Sequence, residues 1–352
     1  MARYDAAVIG AGLGGLAAAA LLSSRKKKTV VLESGESLNS ALGLLEKDGF
    51  AFFSTPDLLY GLERGGDIHE FFASLGIVQS ASVDSPCYQV ALPDKRITVY
   101  AEQDETLEEL RREFPEEIDR VANFYRDLHK KAIQNANNRF FSSLSRHRTA
   151  AGFIRRYRFS GELTAFFDIQ SLYFFQRPAG DLSLSSLITL CDFPPLHLHG
   201  GFKKYADQLY SIILQQGGEV RYHESPPALA PGSGKVAGIK TAQEEIEAET
   251  VLLNCGPPHA PTTLFAGLRE EVVPVGMGRE VLFLPDYALP HDFIALSLSV
   301  KDDTSAAPSG ARSLRASFFS NRSRQNDTHA LVERTSELIP FLSEHLLFAE
   351  QY

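Results

Sequence analysis

Cysteine is scarce in this sequence: Cys87, Cys191 and Cys255 lie far apart and form no C-x-x-C pair. An odd, dispersed set argues against a disulfide framework and against a thiolate zinc site, and it suits a reducing compartment. No apolar run is long enough to span a bilayer. The first strand starts almost at once, without the charged-then-apolar leader of an exported chain. Excess positive charge is absent too. The net charge of −9 argues against wholesale nucleic-acid binding. The expected location is cytoplasmic.

With 352 residues, 44% hydrophobic and 22% charged, there is enough apolar material for two globular domains. The opening stretch DAAVIGAGLGGLAAAALLSSRKKKTVVLES reads as a strand, a glycine-rich turn, a small-residue helix and a second strand ending in Glu33. Gly10, Gly12 and Gly15 make G-x-G-x-x-G. The first permits a tight turn, the second a close approach of pyrophosphate, and the third helix–strand packing. The free N–H groups and dipole at the helix start favour a diphosphate. A carboxylate at Glu33 suits a ribose diol and repels the extra phosphate of NADP. The predicted dinucleotide contacts are therefore Gly10, Ala11, Gly12, Gly14, Gly15 and Glu33.

The turn alone does not separate NAD from FAD, because both carry the ADP half. The residues after it do. SGESLNSALGLLEKDGFAFFSTPDLLYG is a loop with a hairpin around Gly49–Ser54, not a further βαβ unit. Residues 64–77 read as a turn and short helix, 88–100 as a hairpin turning at Pro93–Lys95, and 105–135 as helix interrupted near Pro115. Residues 160–192 read as aromatic-rich helix. In LHLHGGFKKYADQLYSIILQQGGEVRYHES a helix opens at Gly200–Gly201 and ends at Gly217–Gly218, and EVRYH is a strand. KVAGIKTAQEEIEAETVLLN gives two paired strands and a final apolar strand. The end, HALVERTSELIPFLSEHLLF, reads as an amphipathic helix. One nucleotide-binding sheet is thus split and completed by residues 200–256, which fits a single-pass NAD dehydrogenase poorly.

On these residues the chain resembles the phytoene desaturase and carotenoid isomerase branch of the amine-oxidase-like flavoproteins. The segments that carry the resemblance are the fingerprint at 10–33, DGFAFFSTPDLLYG with EFFASLGI, HGGFKKYADQLYSIILQQGGEV, KVAGIKTAQEEIEAETVLLNCGPP and APSGARSL. The resemblance implies an α/β fold, with a Rossmann-like (GR2-type) FAD-binding domain of split sheet plus an α+β substrate domain. Residues 1–75 and 195–265 would form the former, and 76–194 and 266–352 the latter. It implies FAD as cofactor and a long apolar isoprenoid or other lipid as substrate. The reaction would be hydride abstraction by the flavin from an allylic C–H, or a redox-neutral isomerisation. Cofactor chemistry dominates such a reaction, so no catalytic residue is named. Two departures stand out. LNSALG, with Asn39 and Ser40, occupies the family's Gly-Gly-Arg place, and Ser54-Thr55-Pro56 replaces an expected Gly-Pro. The sequence also stops at FAEQY, ahead of the family's glycine-rich closing segment. They keep a second reading open: a non-catalytic lipid- or partner-binding protein of the Rab GDP-dissociation-inhibitor kind, or a truncated inactive fragment.

Smaller signals complete the reading. His197 and His199 share a strand face but lack a third ligand, so no metal site is expected and packing is the preferred role. Phe166, Phe167, Tyr173, Phe174 and Phe175 fit either a polyene tunnel or a helix core. Residues 128–161 carry eight Lys/Arg and no acid, with Phe140, Phe141, Phe153 and Phe159 interleaved. That stretch suits peripheral contact with an anionic lipid surface at the inner membrane face. The alternative is pairing with the nine acids of residues 102–119.

Overall fold

The apolar run before the glycines forms β1 (Ala2–Ile9), the alanine-rich stretch after them α1 (Leu13–Ser24), and TVVL forms β2 (Thr29–Leu32). They are seen in a computed structural model that describes residues 2–54, 56, 58–136, 149–199, 201–224, 228–231, 236–240, 245–254, 261–320 and 327–352. Ala7, Val8, Val30 and Val31 are fully buried, as interior strands of a parallel sheet covered on both faces must be. α1 presents Leu16, Ala19 and Ala20 to the interior and packs on α2 (Gly201–Gln215). α2 buries Phe202, Tyr205, Ala206, Leu209 and Ile213 at helical spacing.

The sheet is completed by β3 (Glu219–Arg221), β4 (Ala228–Pro231), β5 (Val236–Lys240) and β6 (Glu245–Leu253). Its order is β3-β2-β1-β6-β5-β4. The first four strands are mutually parallel, and β5 and β4 are added antiparallel. This is the split, Rossmann-like α/β sheet expected, with β6 seated beside β1 after a long excursion of the chain. Residues 235–254 differ from expectation in one respect. β5 and β6 pair as expected, but the expected second and final strands are one continuous strand, β6, which pairs with β1 from Ile246 to Leu253.

By contacts the chain divides into two units, residues 1–57, 68–80 and 198–260, and residues 58–67, 81–197 and 261–352. Residues 58–67 group with the second unit. Strand Leu58–Leu59 pairs with Leu196 and His197, and Tyr60 packs edge-on against Phe174 at 4.8 Å.

The second unit is built on a seven-stranded sheet in the order Leu346–Gln351, Thr262–Arg269, Ala311–Phe319, Phe293–Leu298, Glu280–Phe283, Tyr88–Ala91, Arg96–Val99. Only the Glu280–Phe283/Tyr88–Ala91 pair is parallel. Strand alternation sends Leu282, Phe293 and Ala295 into one core, shared with helices Gln103–Glu113, Ile118–Ala136, Gly161–Phe175 and Leu184–Asp192. Val281, Phe283, Ile294 and Leu296 go into another, shared with helix Thr328–Ser336, Ile339 and Leu342. The end of the chain corrects the sequence reading. The expected closing helix stops at Ser336, a single turn follows at Leu342–His345, and Leu346–Gln351 is an edge strand on Thr262–Arg269. Pro340 lacks the N–H a continuous helix needs, and the sheet offers LLFAEQ an unpaired neighbour.

Phe166 and Phe167 are core residues, 1% and 3% exposed. Beside them a chain of buried polar groups crosses the helical layer. The Tyr88 hydroxyl donates to Gln170 Oε1 (2.6 Å), and the Tyr60 and Tyr88 hydroxyls lie 3.3 Å apart. A cavity of about 40 Å³ here is lined in part by Tyr60, Tyr125, Phe166, Phe167, Gln170 and Cys191, room for a water-sized group and not for a polyene. Burial, then the Asp84 charge, pushes the Cys87 thiol up to about 12. Burial, then the Asp192 charge, raises Cys191 as well. Thiolate is the nucleophile, so at about pH 8 iodoacetamide is expected to leave both unmodified in the folded protein and to alkylate both in urea. Mass-spectrometric detection of native alkylation at either would show that this core opens.

Candidate functional site

The glycine turn closes β1 onto α1 through contacts that exclude side chains. Gly10 has φ +98°, and a Cβ on it would lie 2.5 Å from Asn254 O. A Cβ on Gly15 would lie 2.0 Å from the Gly10 carbonyl oxygen. Gly12 caps α1 without any side-chain hydrogen bond, and the first internal helix bond is Leu16 N to Gly12 O at 3.0 Å. The helix start therefore presents backbone donors and the positive end of its dipole, the arrangement that binds phosphate. Ala11 is fully buried behind the turn.

Glu33, the residue after β2, is tied in place by its own backbone. Its N–H donates to Arg221 O (2.8 Å), and its carbonyl accepts from Glu224 N (3.0 Å). One carboxylate oxygen accepts from Ala11 N (2.6 Å) and the other from Gly35 N (2.8 Å). Two backbone donors thus fix the carboxylate beside the glycine turn and leave further lone pairs for a diol. The structure brings Gly10, Ala11, Gly12, Gly14, Gly15 and Glu33 into one site.

Two neighbours of this site were not singled out from sequence. Asn254 follows β6, and its side-chain amide lies over Gly12, Gly14 and Gly15. Tyr222 follows β3. Burial first, then Tyr210 and the Glu33 charge, pushes its hydroxyl up to about 12, so it remains a neutral phenol next to the acid. The available signals were only their places, one residue past a strand that pairs in the sheet. The LNSALG stretch is a short helix, Leu38–Ala41, capped by Ser37 Oγ accepting from Ser40 N (3.3 Å). Asn39 and Ser40 are exposed on it.

The other signals separate. His197 is buried, 3.4 Å from Asp84 Oδ2, whereas His199 lies beyond the strand and is exposed. Among the described residues no cluster of three or more His, Cys, Asp or Glu could hold a metal. Also among them, no helix is long and apolar enough to cross a membrane. Of the basic stretch, Arg139, Phe140, Phe141, Arg146 and Arg148 lie outside the described residues. Arg155, Arg156 and Arg158 are exposed, while Phe153 and Phe159 pack inward on Phe124 at 5.5 and 5.4 Å. Arg111 and Arg112 pair with Glu108 and Glu109 of their own helix.

Residues 8–74 match the NAD(P)-binding Rossmann-like domain family. Prolycopene isomerase of Daucus carota is 25% identical over 339 residues, 86% of this chain and 53% of its own length. The 4,4'-diapophytoene desaturase (4,4'-diapolycopene-forming) of a Methylomonas species is 24% identical over 284 residues, 73% of this chain and 54% of its own. The chain therefore spans about half the length of the curated relatives it matches. Among solved structures, a Rab GDI from Plasmodium falciparum superposes with TM-score 0.66 at 16% identity, covering 99% of this chain and 89% of that one. This last likeness is one of fold. Over most of its length the chain is thus similar, at about 25% identity, to prolycopene isomerase and to a diapophytoene desaturase, and its first residues match a Rossmann-like nucleotide-binding family.

Proposed function

We propose that this chain binds FAD and takes part in oxidoreductase chemistry on a long, apolar isoprenoid or carotenoid-type lipid. The observation that carries the reading is the Glu33 carboxylate, held by Ala11 N and Gly35 N beside an uncapped helix start. The residues fit the ADP half of the cofactor: α1 starts at Gly12 with no side-chain cap on its backbone donors, and the Glu33 carboxylate is fixed beside them. Gly12, Gly14 and the helix donors would hold the diphosphate, and Glu33 the ribose diol. When bound, the flavin would supply hydride transfer to and from a conjugated lipid. Around it, the residues of this chain orient the nucleotide and turn the Glu33 carboxylate towards the ribose, an acidic group that disfavours a 2′-phosphate. The carotenoid isomerase and desaturase relatives support the substrate class.

The test is titration of the purified chain with FAD, followed by flavin absorbance and fluorescence. One FAD per chain is expected. Glu33→Gln keeps the size and loses the charge, and is expected to weaken binding roughly tenfold, the worth of charge in a hydrogen bond. A folded chain that takes up no FAD at excess cofactor defeats this reading. The exposed, capped helix at Leu38–Ala41 and the Rab GDI fold likeness then favour the alternative, a non-catalytic lipid- or partner-binding protein.

A further inference from the structure

We infer that Asn254 is a positioning residue for the bound dinucleotide, its side-chain amide joining the backbone donors that face the diphosphate; this rests on the reading of the turn as an FAD site. The residue arrives from the far end of the split sheet. Its N–H donates to Ile9 O at 2.8 Å, carrying the β1–β6 pairing one step further, up to the turn. Its amide nitrogen stands 3.0 and 3.1 Å from where Cβ atoms on Gly12 and Gly15 would be, and its amide oxygen 2.8 Å from one on Gly14. Three glycines therefore make room for one amide. The missing Cβ at Gly12, usually assigned to the approach of phosphate, is also what admits Asn254.

The choice of amide is informative. Asn and Asp serve equally well at a helix start, where a side-chain oxygen accepts an unpaired N–H. A carboxylate would also gain from the helix dipole. Stability alone gives no reason to prefer Asn. A diphosphate does. The amide offers a donor and no charge, whereas a carboxylate offers acceptors only and repels the ligand's own negative charge at close range.

Asn254→Asp and Asn254→Ala in the full chain separate the roles, with FAD affinity and ligand-free melting temperature both measured. Asn254→Asp is expected to melt no lower than the wild type without FAD. Its FAD affinity should fall on the order of 100-fold at low ionic strength, a loss that shrinks as salt rises from about 0.02 to about 0.5 M. Asn254→Ala should lose about tenfold, with no added salt dependence, as one hydrogen-bond donor is removed. If Asn254→Asp binds within about twofold of wild type, the assignment is overturned. It is also overturned if affinity falls only in step with ligand-free melting temperature and without response to salt. A wild-type chain that binds no FAD overturns the underlying reading instead, and the assignment with it.

Discussion

Gly15→Ala should abolish FAD binding and destabilise the first unit by at least about 3 kcal/mol, the upper range for forcing atoms into a packed site. The added methyl would sit 2.0 Å from the Gly10 carbonyl oxygen. That oxygen belongs to the backbone of the turn, fixed because Gly10 N donates to Leu32 O at 2.8 Å. Neither side can yield by a rotamer change, so α1 must lift from β1 and carry its donors away from the site. Gly14→Ala is the control. There the methyl meets Asn254 Oδ1 at 2.8 Å, the end of a side chain that can rotate, and alanine is favoured over glycine in a helix by about 1 kcal/mol. Gly14→Ala should keep its fold and lose affinity by displacing the amide. Circular dichroism melts and FAD titration read both variants. A Gly15→Ala protein with wild-type melting and FAD uptake would mean that strand and helix do not approach this closely.

Phe124→Ala is expected to cost about 3–5 kcal/mol, the range for deleting a buried aromatic side chain. Phe124 is fully buried. Its ring lies 5.2–5.5 Å from Tyr125, Phe153, Tyr157, Phe159 and Phe167, in tilted or edge-on arrangements. Residues 153–159 and helix Gly161–Phe175 meet helix Ile118–Ala136 on this one ring, so its removal leaves a cavity that no single rotamer change can fill. Urea denaturation followed by near-ultraviolet circular dichroism should show the lower midpoint. FAD affinity of the folded fraction should be unchanged, since the ring serves packing within the second unit. A wild-type midpoint, with altered uptake of an apolar polyene such as lycopene, would reverse the assignment and make the cluster a ligand-lining surface.

Much of the nucleotide unit was legible because its signals are local. Strand, helix and glycine conformations from Asp5 to Glu33 follow from apolar runs and from positions that tolerate no Cβ, within a single β1–α1–β2 unit. Helices Gln103–Glu113 and Ile118–Ala136, broken near Pro115, and the hairpin Tyr88–Val99 were legible for the same reason. The fate of LLFAEQ was not. Its apolar residues suit a helix or a strand, and only the open edge of Thr262–Arg269 settles the choice.

The aromatic residues show the same limit in another form. Phe153 and Phe159 sit among arginines in the sequence, yet the rings pack inward while Arg155 and Arg156 stay in solvent. Local pattern records how a segment repeats, but not which surface it will meet. The sequence by itself determined that a glycine turn, a helix start and the acid Glu33 follow one another at dinucleotide spacing. Only the tertiary structure decided that Asn254 lies across that turn and Tyr222 beside that acid. Both are set there by parallel strand pairing between distant segments, whose register fixes side chains that no neighbouring residue announces.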